Sequence, residues 1–165
     1  MILSTERLTL SQLEADDAPF VLELLTSRGF KENIGDRGVR DLDGARGYIE
    51  RQRESYAEHG YGLWRADLAG AGESAGICGL VQREGLEHPD VGYAFLERFW
   101  GRGLASEGAA ATLAYARERL GLSTVVAITK PENAGSIAVL ERIGMKFVGL
   151  IQLPGHEDQS TYFTT

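Results

Sequence analysis

The sequence predicts an α+β fold in which a mixed, mostly antiparallel sheet of about seven strands is covered by helices. Seven segments have the β-branched and aromatic composition or the alternation that is typical of strands, and four have apolar residues at helical spacing. One helix lies between two apolar strands, as in a βαβ unit, which predicts that those two strands are parallel.

The N-terminal part is predicted to contain one strand and two helices. Leu8 and Leu10 have strand spacing, and the acidic residues that follow are suitable helix caps. The predicted segments are a strand over 7–13, a helix from Asp16 or Asp17 to about Gly29, a polar loop over 30–40, and a helix from Asp41 or Asp43 to Gly60.

The rest of the chain is predicted to form an antiparallel meander followed by the βαβ unit. Glycine-rich or polar turns separate the three meander strands, and Gly121 and Gly144 are suitable helix stops. The predicted segments are strands over 61–68, 75–83 and 91–96, a helix over 105–119, a strand over 124–129, a helix over 133–142, and strands over 146–153 and 159–165.

Length and composition predict one domain and exclude several classes of protein. The 165 residues suffice for one core, and no apolar run reaches the about 18 residues of a membrane span. The net charge of −7 argues against nucleic acid and mildly favours a cationic partner. No basic leader precedes an apolar stretch, and the single cysteine, Cys78, fits a buried core position, so we expect a cytoplasmic protein without disulfides.

The segment over 90–107 carries the strongest functional signal. A predicted strand enters a turn with Gly101 and Gly103, and a helix begins directly after it. Glycines allow close approach of the backbone, and the free N–H groups of a helix start bind anions, so a diphosphate site is indicated. An ordinary strand-to-helix turn is the alternative, and neither the dinucleotide fingerprint nor the nucleoside-triphosphate loop is present.

The order of the elements and three motifs resemble the GNAT superfamily of N-acetyltransferases. Its acetyl-CoA loop, Q/R-x-x-G-x-G/A, is matched at Gly103 and Ala105. The variant W-G-x-G-x-A-x-E at 100–107, together with T-x-R-L-x-L at 5–10, is similar to the RimJ/RimL type of ribosomal-protein N-terminal acetyltransferase. The segment over 133–145 resembles that subgroup's N-x-x-S-x-x-V-L-E-x-x-G-F/M motif.

This resemblance implies a sheet with helices on both faces, splayed between its fourth and fifth strands to admit acetyl-CoA. The backbone N–H near Leu96 is expected to hydrogen-bond the developing oxyanion of the acetyl group. The cofactor-binding residues that the resemblance implies are Phe95, Leu96, Trp100, Gly101, Arg102, Gly103, Leu104, Ala105, Ser106, Asn133 and Ser136.

The catalytic groups depart from the superfamily pattern. Leu140 stands where many members have a tyrosine that acts as general acid, and in the RimL-like subgroup Ser136 is the residue that replaces it. A capping role explains a serine in the first helical turn equally well. Glu107 is a candidate base, although the helix dipole alone favours glutamate there. His88 and His156 fit solvated turns, and no histidine pair has metal-ligand spacing, so no metal is expected.

The activity expected from this resemblance is transfer of an acetyl group from acetyl-CoA to a primary amine. Direct attack in a ternary complex is favoured over an acyl-enzyme, because Cys78 is the only cysteine and lies in a predicted core strand. A protein N-terminus is the preferred acceptor. A small amine and a non-catalytic acyl-CoA-binding module are the alternatives, and both a monomer and a homodimer are compatible with the sequence.

Overall fold

The computed structural model describes all 165 residues, and its strands form one open sheet in the order β1-β2-β3-β4-β5-β6-β8-β7. All neighbouring strands are antiparallel except β5 and β6. The strands are β1 Leu3–Ser4, β2 Leu8–Ser11, β3 Leu63–Leu68, β4 Ser74–Val81, β5 Asp90–Phe95, β6 Val126–Thr129, β7 Lys146–Ile151 and β8 Ser160–Thr164.

Five α-helices and two 3-10 turns connect the strands. The helices are α1 Ala18–Thr26, α2 Arg28–Asn33, α3 Leu42–His59, α4 Leu104–Glu118 and α5 Ala134–Arg142, and the 3-10 turns are Ala15–Asp17 and Glu97–Phe99. The longest helix, α3, has 18 residues, several of them charged. None of the five combines the length and the apolar character that a bilayer span needs.

Helices cover both faces of the sheet, as the fold class predicts. On one face Trp64 packs edge-on against Tyr115 of α4, and Gly108 lets that helix approach within van der Waals contact of Cys78. On the other face Arg65 pairs with Asp17 before α1, and Tyr56 of α3 donates a hydrogen bond to the Leu63 carbonyl. The α+β fold class is therefore confirmed.

The sheet opens between β5 and β6. These parallel strands share one register pair, Asp90 with Val126, and the Val126 N–H donates to the Pro89 carbonyl at 3.0 Å. By contrast, β4 and β5 are paired at six consecutive positions. The predicted splay between the fourth and fifth predicted strands is confirmed, because these correspond to β5 and β6.

Two features differ from the sequence prediction. The sheet has eight strands rather than about seven, because the two-residue β1 lacks any alternation to detect. The predicted loop over 30–40 is wrong in its first part, where α2 begins with a Ser27 cap. Gly29 is not a helix stop: a Cβ there would lie 2.7 Å from the Trp100 ring, so the glycine is needed for packing.

Gly76→Ala tests how tightly β4 and β5 are packed beside the opening. The added Cβ would lie 2.3 Å from the Ala94 carbonyl oxygen, which belongs to backbone and cannot move freely. We expect the free energy of unfolding to fall by about 3 kcal/mol and the melting temperature by roughly 6–12 °C, measured by calorimetry.

Gly149→Ala is the matched control for this substitution. Gly149 lies in β7, has no positive φ, and offers free space to a Cβ. We expect a change within about 0.5 kcal/mol. Equal stability of the two variants would contradict the tight packing at Gly76.

Candidate functional site

A cleft of about 890 Å³ occupies the opening between β5 and β6. Nine of the twelve site residues predicted from the sequence line it, namely Phe95, Trp100, Gly101, Gly103, Leu104, Ala105, Ser106, Asn133 and Ser136. The side chains of Leu96, Arg102 and Glu107 lie outside its lining. Nine of the predicted residues thus share one cleft, and the other three are described individually below.

The glycine loop presents a free helix N-terminus to one end of the cleft. Gly101 and Gly103 have φ angles of +76° and +75°, in the left-handed region that other residues rarely adopt. Gly103 caps α4 without any side-chain hydrogen bond to the first turn. The first N–H groups of this 15-residue helix are thus open to an anion, and the helix dipole adds to the attraction.

Arg7 holds this loop from the side opposite the cleft. Its Nε donates to Glu107 Oε2 at 2.9 Å, and its Nη1 donates to the Arg102 carbonyl. The Glu107 side chain is only 18% exposed in this pair. Glu107 therefore faces Arg7 rather than the cleft, an arrangement that positions the loop.

Trp100 fixes the other side of the loop. Its indole Nε1 donates to the Phe95 carbonyl at 2.8 Å, and its ring lies against Gly29 of α2. The Glu97 carboxylate accepts a hydrogen bond from the Gly29 N–H at 2.6 Å. Strand β5, the glycine loop and α2 are thus connected at the mouth of the cleft.

The backbone N–H groups of β5 point alternately toward β4 and toward the cleft. The Leu96 N–H donates to the Ala75 carbonyl of β4 at 2.9 Å, so it is engaged with the neighbouring strand and is not free for an oxyanion. Because hydrogen-bonding directions alternate along an antiparallel strand, the N–H groups of Tyr93 and Phe95 point to the opposite side. That side is the gap left by β6.

Ser136 and Tyr93 meet in the wall of the cleft. Their hydroxyl oxygens are 2.9 Å apart, and the Tyr93 hydroxyl also lies 3.2 Å from the Ser136 carbonyl oxygen. Burial raises the pKa of Tyr93 to about 12, so the phenol stays protonated at neutral pH. Asn133 caps α5 by accepting from the Ser136 N–H at 3.1 Å, which places the serine in the first helical turn.

Cys78 lies in the core and not in the cleft. It is fully buried, its Sγ is 3.5 Å from the Thr112 hydroxyl, and burial raises its pKa to about 12. A thiol in this environment does not ionise near neutral pH. The predicted core position of Cys78 is confirmed.

The end of the cleft away from the glycine loop is lined by Arg37, Tyr48 and Arg83, which the sequence did not single out as site residues. His156, which the sequence placed in a solvated turn, lines the same end. Arg83 faces Asp90, which burial holds at a raised pKa of about 6. His88, the other histidine considered from the sequence, does not line the cleft.

Sequence reasoning missed Tyr93, Arg7 and the two arginines at the far end. The strand alternation contained a signal for Tyr93, because it has the same parity as Phe95 and so the same backbone direction. No sequence pattern indicated the two arginines, because Arg37 and Arg83 are separated by 46 positions and lie near each other only in the folded chain.

Comparisons with known proteins agree with this geometry. Residues 7–146 match the model of the acetyltransferase (GNAT) domain family. The chain is 34% identical over 112 residues to the uncharacterized protein YkkB of Bacillus subtilis (strain 168), a match that covers 67% of this chain and 65% of that protein.

Solved structures show the same fold. An acetyltransferase from Agrobacterium tumefaciens str. C58 superposes with a TM-score of 0.85 at 31% identity, over 99% of this chain and 92% of that chain. RimL, a ribosomal L7/L12 alpha-N-protein acetyltransferase in complex with coenzyme A, superposes with a TM-score of 0.85 at 18% identity, over 99% and 96% of the two chains.

Gly103→Val tests whether the loop binds the coenzyme A diphosphate. A β-branched residue is strained at a φ of +75°, and its Cβ would lie 3.2 Å from the Arg7 guanidinium. We expect the dissociation constant for coenzyme A, measured by calorimetry, to rise at least about tenfold.

Gly121→Val serves as the control because it introduces similar strain beyond the other end of α4. Gly121 has a φ of +67° and free space around it. We expect this variant to lose stability but to retain coenzyme A affinity. If both variants bind coenzyme A as the unmodified protein does, the diphosphate assignment is wrong.

Proposed function

The chain belongs to the GNAT acetyltransferase family and is an acetyl-CoA-dependent N-acetyltransferase, and we propose that it transfers the acetyl group to a primary amine. The observation that carries the proposal is the cleft between β5 and β6, which joins an anion-binding helix start to two protic side chains. Both substrates are expected to be bound together, so that the amine attacks the thioester directly.

The residues along the cleft fit acetyl-CoA, which supplies an acetyl group activated as a thioester. The open start of α4 suits the diphosphate, and Arg142, whose Nη1 donates to Ser106 at 3.1 Å, adds a positive charge beside it. The cleft-facing N–H groups of β5 are suitable partners for the amide groups of the pantetheine arm. These features support an extended ligand lying along β5.

We assign the hydrogen bond to the thioester oxygen to the Phe95 N–H in place of the expected Leu96 N–H. The Leu96 N–H already donates to Ala75 across the sheet, whereas the Phe95 N–H points into the gap beside β6. A donor fixed by a strand is already oriented when charge develops on the oxygen, which is the requirement for electrostatic stabilisation.

Ser136 and Tyr93 together are the proposed source of the proton for the departing sulfur. When the Tyr93 hydroxyl donates to Ser136 Oγ at 2.9 Å rather than to the more distant Ser136 carbonyl oxygen, the serine hydrogen is free to point into the cleft. The raised pKa of Tyr93 keeps this donor protonated. The phenol is therefore supplied by Tyr93 of β5. At position 140, where many family members carry a tyrosine, this chain has the buried apolar Leu140 in the cleft wall.

The buried Cys78 supports direct transfer. Its thiol is outside the cleft and its pKa is raised to about 12, so it is not suited to carry the acetyl group. For Glu107 we propose a structural role in place of the predicted base, because its carboxylate is paired with Arg7 behind the loop.

Two classes of acceptor are candidates. The likeness to RimL in fold supports a protein N-terminus. A small amine is supported by the contacts that bridge α2 and the β6–α5 loop, where Lys130 donates to the Glu32 carbonyl at 3.2 Å and Asn133 to the Asn33 carbonyl at 3.5 Å. These contacts narrow one side of the cleft.

A thiol-release assay with acetyl-CoA tests the proposal. The acceptors are peptides with free N-termini, amino acids, polyamines and amino sugars. Acetylation of any of these amines supports the proposed transfer. Coenzyme A binding without turnover on any acceptor would instead support a non-catalytic acyl-CoA-binding module.

Ser136→Ala and Tyr93→Phe each remove one hydroxyl of the proposed proton source. We expect kcat to fall about tenfold in both, which is less than for many general acids because a thiolate leaves readily near neutral pH. The affinity for coenzyme A, measured by calorimetry, should stay within about twofold, since neither hydroxyl is placed at the diphosphate.

The control for Tyr93→Phe is Tyr115→Phe. Tyr115 packs edge-on against Trp64 and does not line the cleft. Turnover of this variant should match that of the unmodified protein. Normal turnover in Ser136→Ala would refute the serine as the proton donor, whatever the result for Tyr93.

A further inference from the structure

The cleft is basic although the chain as a whole is acidic. Its charged lining residues are Arg37, Arg83, Lys130 and Arg142, against one carboxylate, Glu132. Arg142 lies beside Ser106 at the glycine loop, where the diphosphate accounts for a positive charge. Arg37 and Arg83 lie toward the other end, where acetyl-CoA provides no phosphate to neutralise them.

Arg37 has no carboxylate partner in the protein. Its neighbour Asp36 is bound instead to Arg40, through two contacts of 2.7 and 2.8 Å. Arg37 lies at the cleft wall and is exposed to solvent, and partial desolvation together with the nearby Arg83 lowers the pKa of its guanidinium while leaving it a cation. Its N–H donors are not used by a carboxylate of the protein, so they are open to an incoming anion.

Arg83 has an incomplete partner. Its only ion-pair contact is 3.4 Å to Asp90 Oδ2, which is long for a charge-assisted hydrogen bond. Asp90 is 2% exposed, and both its Oδ1 and the Arg83 Nε are buried without a hydrogen-bond partner. Asp90 orients the guanidinium, therefore, but leaves part of its hydrogen-bonding capacity unused.

Tyr48 adds a neutral donor to the same space. Its ring is buried at the cleft wall, and its hydroxyl makes no hydrogen bond within the protein. Burial raises its pKa to about 12, and Arg37 and Arg83 both lie near enough to act against that rise. Two guanidinium groups and one phenol thus line the same part of the cleft, within range of one another's charge.

We propose that Arg37, Arg83 and Tyr48 bind a carboxylate of the acceptor, so that the acceptor is an amine with a carboxylate a few bonds away. This inference rests on the proposed acetyl transfer and specifies its substrate class. Paired guanidinium groups recognise a planar carboxylate through several N–H donors, and a phenol supplies a further hydrogen bond.

The same groups disfavour polycations. A polyamine would bring positive charge toward Arg37 and Arg83, and the cleft offers only the exposed Glu132 to balance it. The net charge of −7 by itself mildly favoured a cationic partner, and the local charges of the cleft reverse that expectation for the acceptor.

Matched pairs of acceptors test the proposal by turnover. Glycine, β-alanine and L-leucine are compared with their amides, and the amidated tripeptide Asp-Ala-Ala is compared with Asn-Ala-Ala. We expect the carboxylate member of at least one pair to have a kcat/KM about tenfold or more above its amide. A preference among free amino acids identifies a small substrate, and a preference only among the peptides identifies an acidic N-terminus.

Substitutions of the cleft arginines test which residues cause the preference for a carboxylate. Arg37→Gln and Arg83→Gln should each reduce the ratio of kcat/KM between the carboxylate member and its amide about tenfold. Arg40→Gln is the matched control, because Arg40 belongs to the same loop but pairs with Asp36 outside the cleft. Arg83→Gln alone leaves the buried Asp90 carboxylate without its partner. The double variant Arg83→Gln, Asp90→Asn removes that charge and is therefore measured alongside the single variant.

A binding measurement keeps this inference separate from the proposed transfer. Calorimetry with N-acetylglycine and N-acetylglycinamide, on protein saturated with coenzyme A, compares product analogues without turnover. Tighter binding of the acid, lost in Arg37→Gln and kept in Arg40→Gln, supports the carboxylate site even if no tested amine is acetylated. Equal binding of both compounds, or equal turnover within every pair, overturns it.

Discussion

The divergence of β5 and β6 is the constraint on which the rest of the structure depends. One register pair, Asp90 with Val126, joins the two strands, and beyond it the backbone groups of β5 on that side have no strand to bond. Unpaired N–H and C=O groups are costly unless water or a ligand satisfies them. The same gap that weakens the sheet therefore creates the binding edge for an extended substrate.

Contacts between residues far apart in sequence hold the glycine loop at the end of this gap. Arg7, the residue before β2, binds the loop, and Trp100 joins it to the Phe95 carbonyl and to Gly29 of α2. The glycines supply conformational freedom, but these anchors decide where the free N-terminus of α4 points. A flexible loop alone would have to be ordered on binding, at a cost in affinity.

Local charge matters more to the cleft than the composition of the chain. Most carboxylates lie on the outer surface, where Asp36 pairs with Arg40 and Glu23 with Arg98. Within the cleft the arginines outnumber the carboxylates, because Arg37, Arg83 and Arg142 line it against Glu132 alone. The net charge of a protein affects its solubility and its long-range attraction for ligands, whereas the charges that line the cleft act on the bound substrate.

By itself the sequence determined the fold class, because periodicity is a local property, and through motifs that resemble the GNAT family it predicted the splay and the nine residues that line the cleft. Only the tertiary structure decided that the Leu96 N–H faces Ala75, that Glu107 pairs with Arg7, and that Tyr93 meets Ser136. These contacts depend on strand register and on helix placement. Both are set by packing between segments distant in the chain, which no short pattern records.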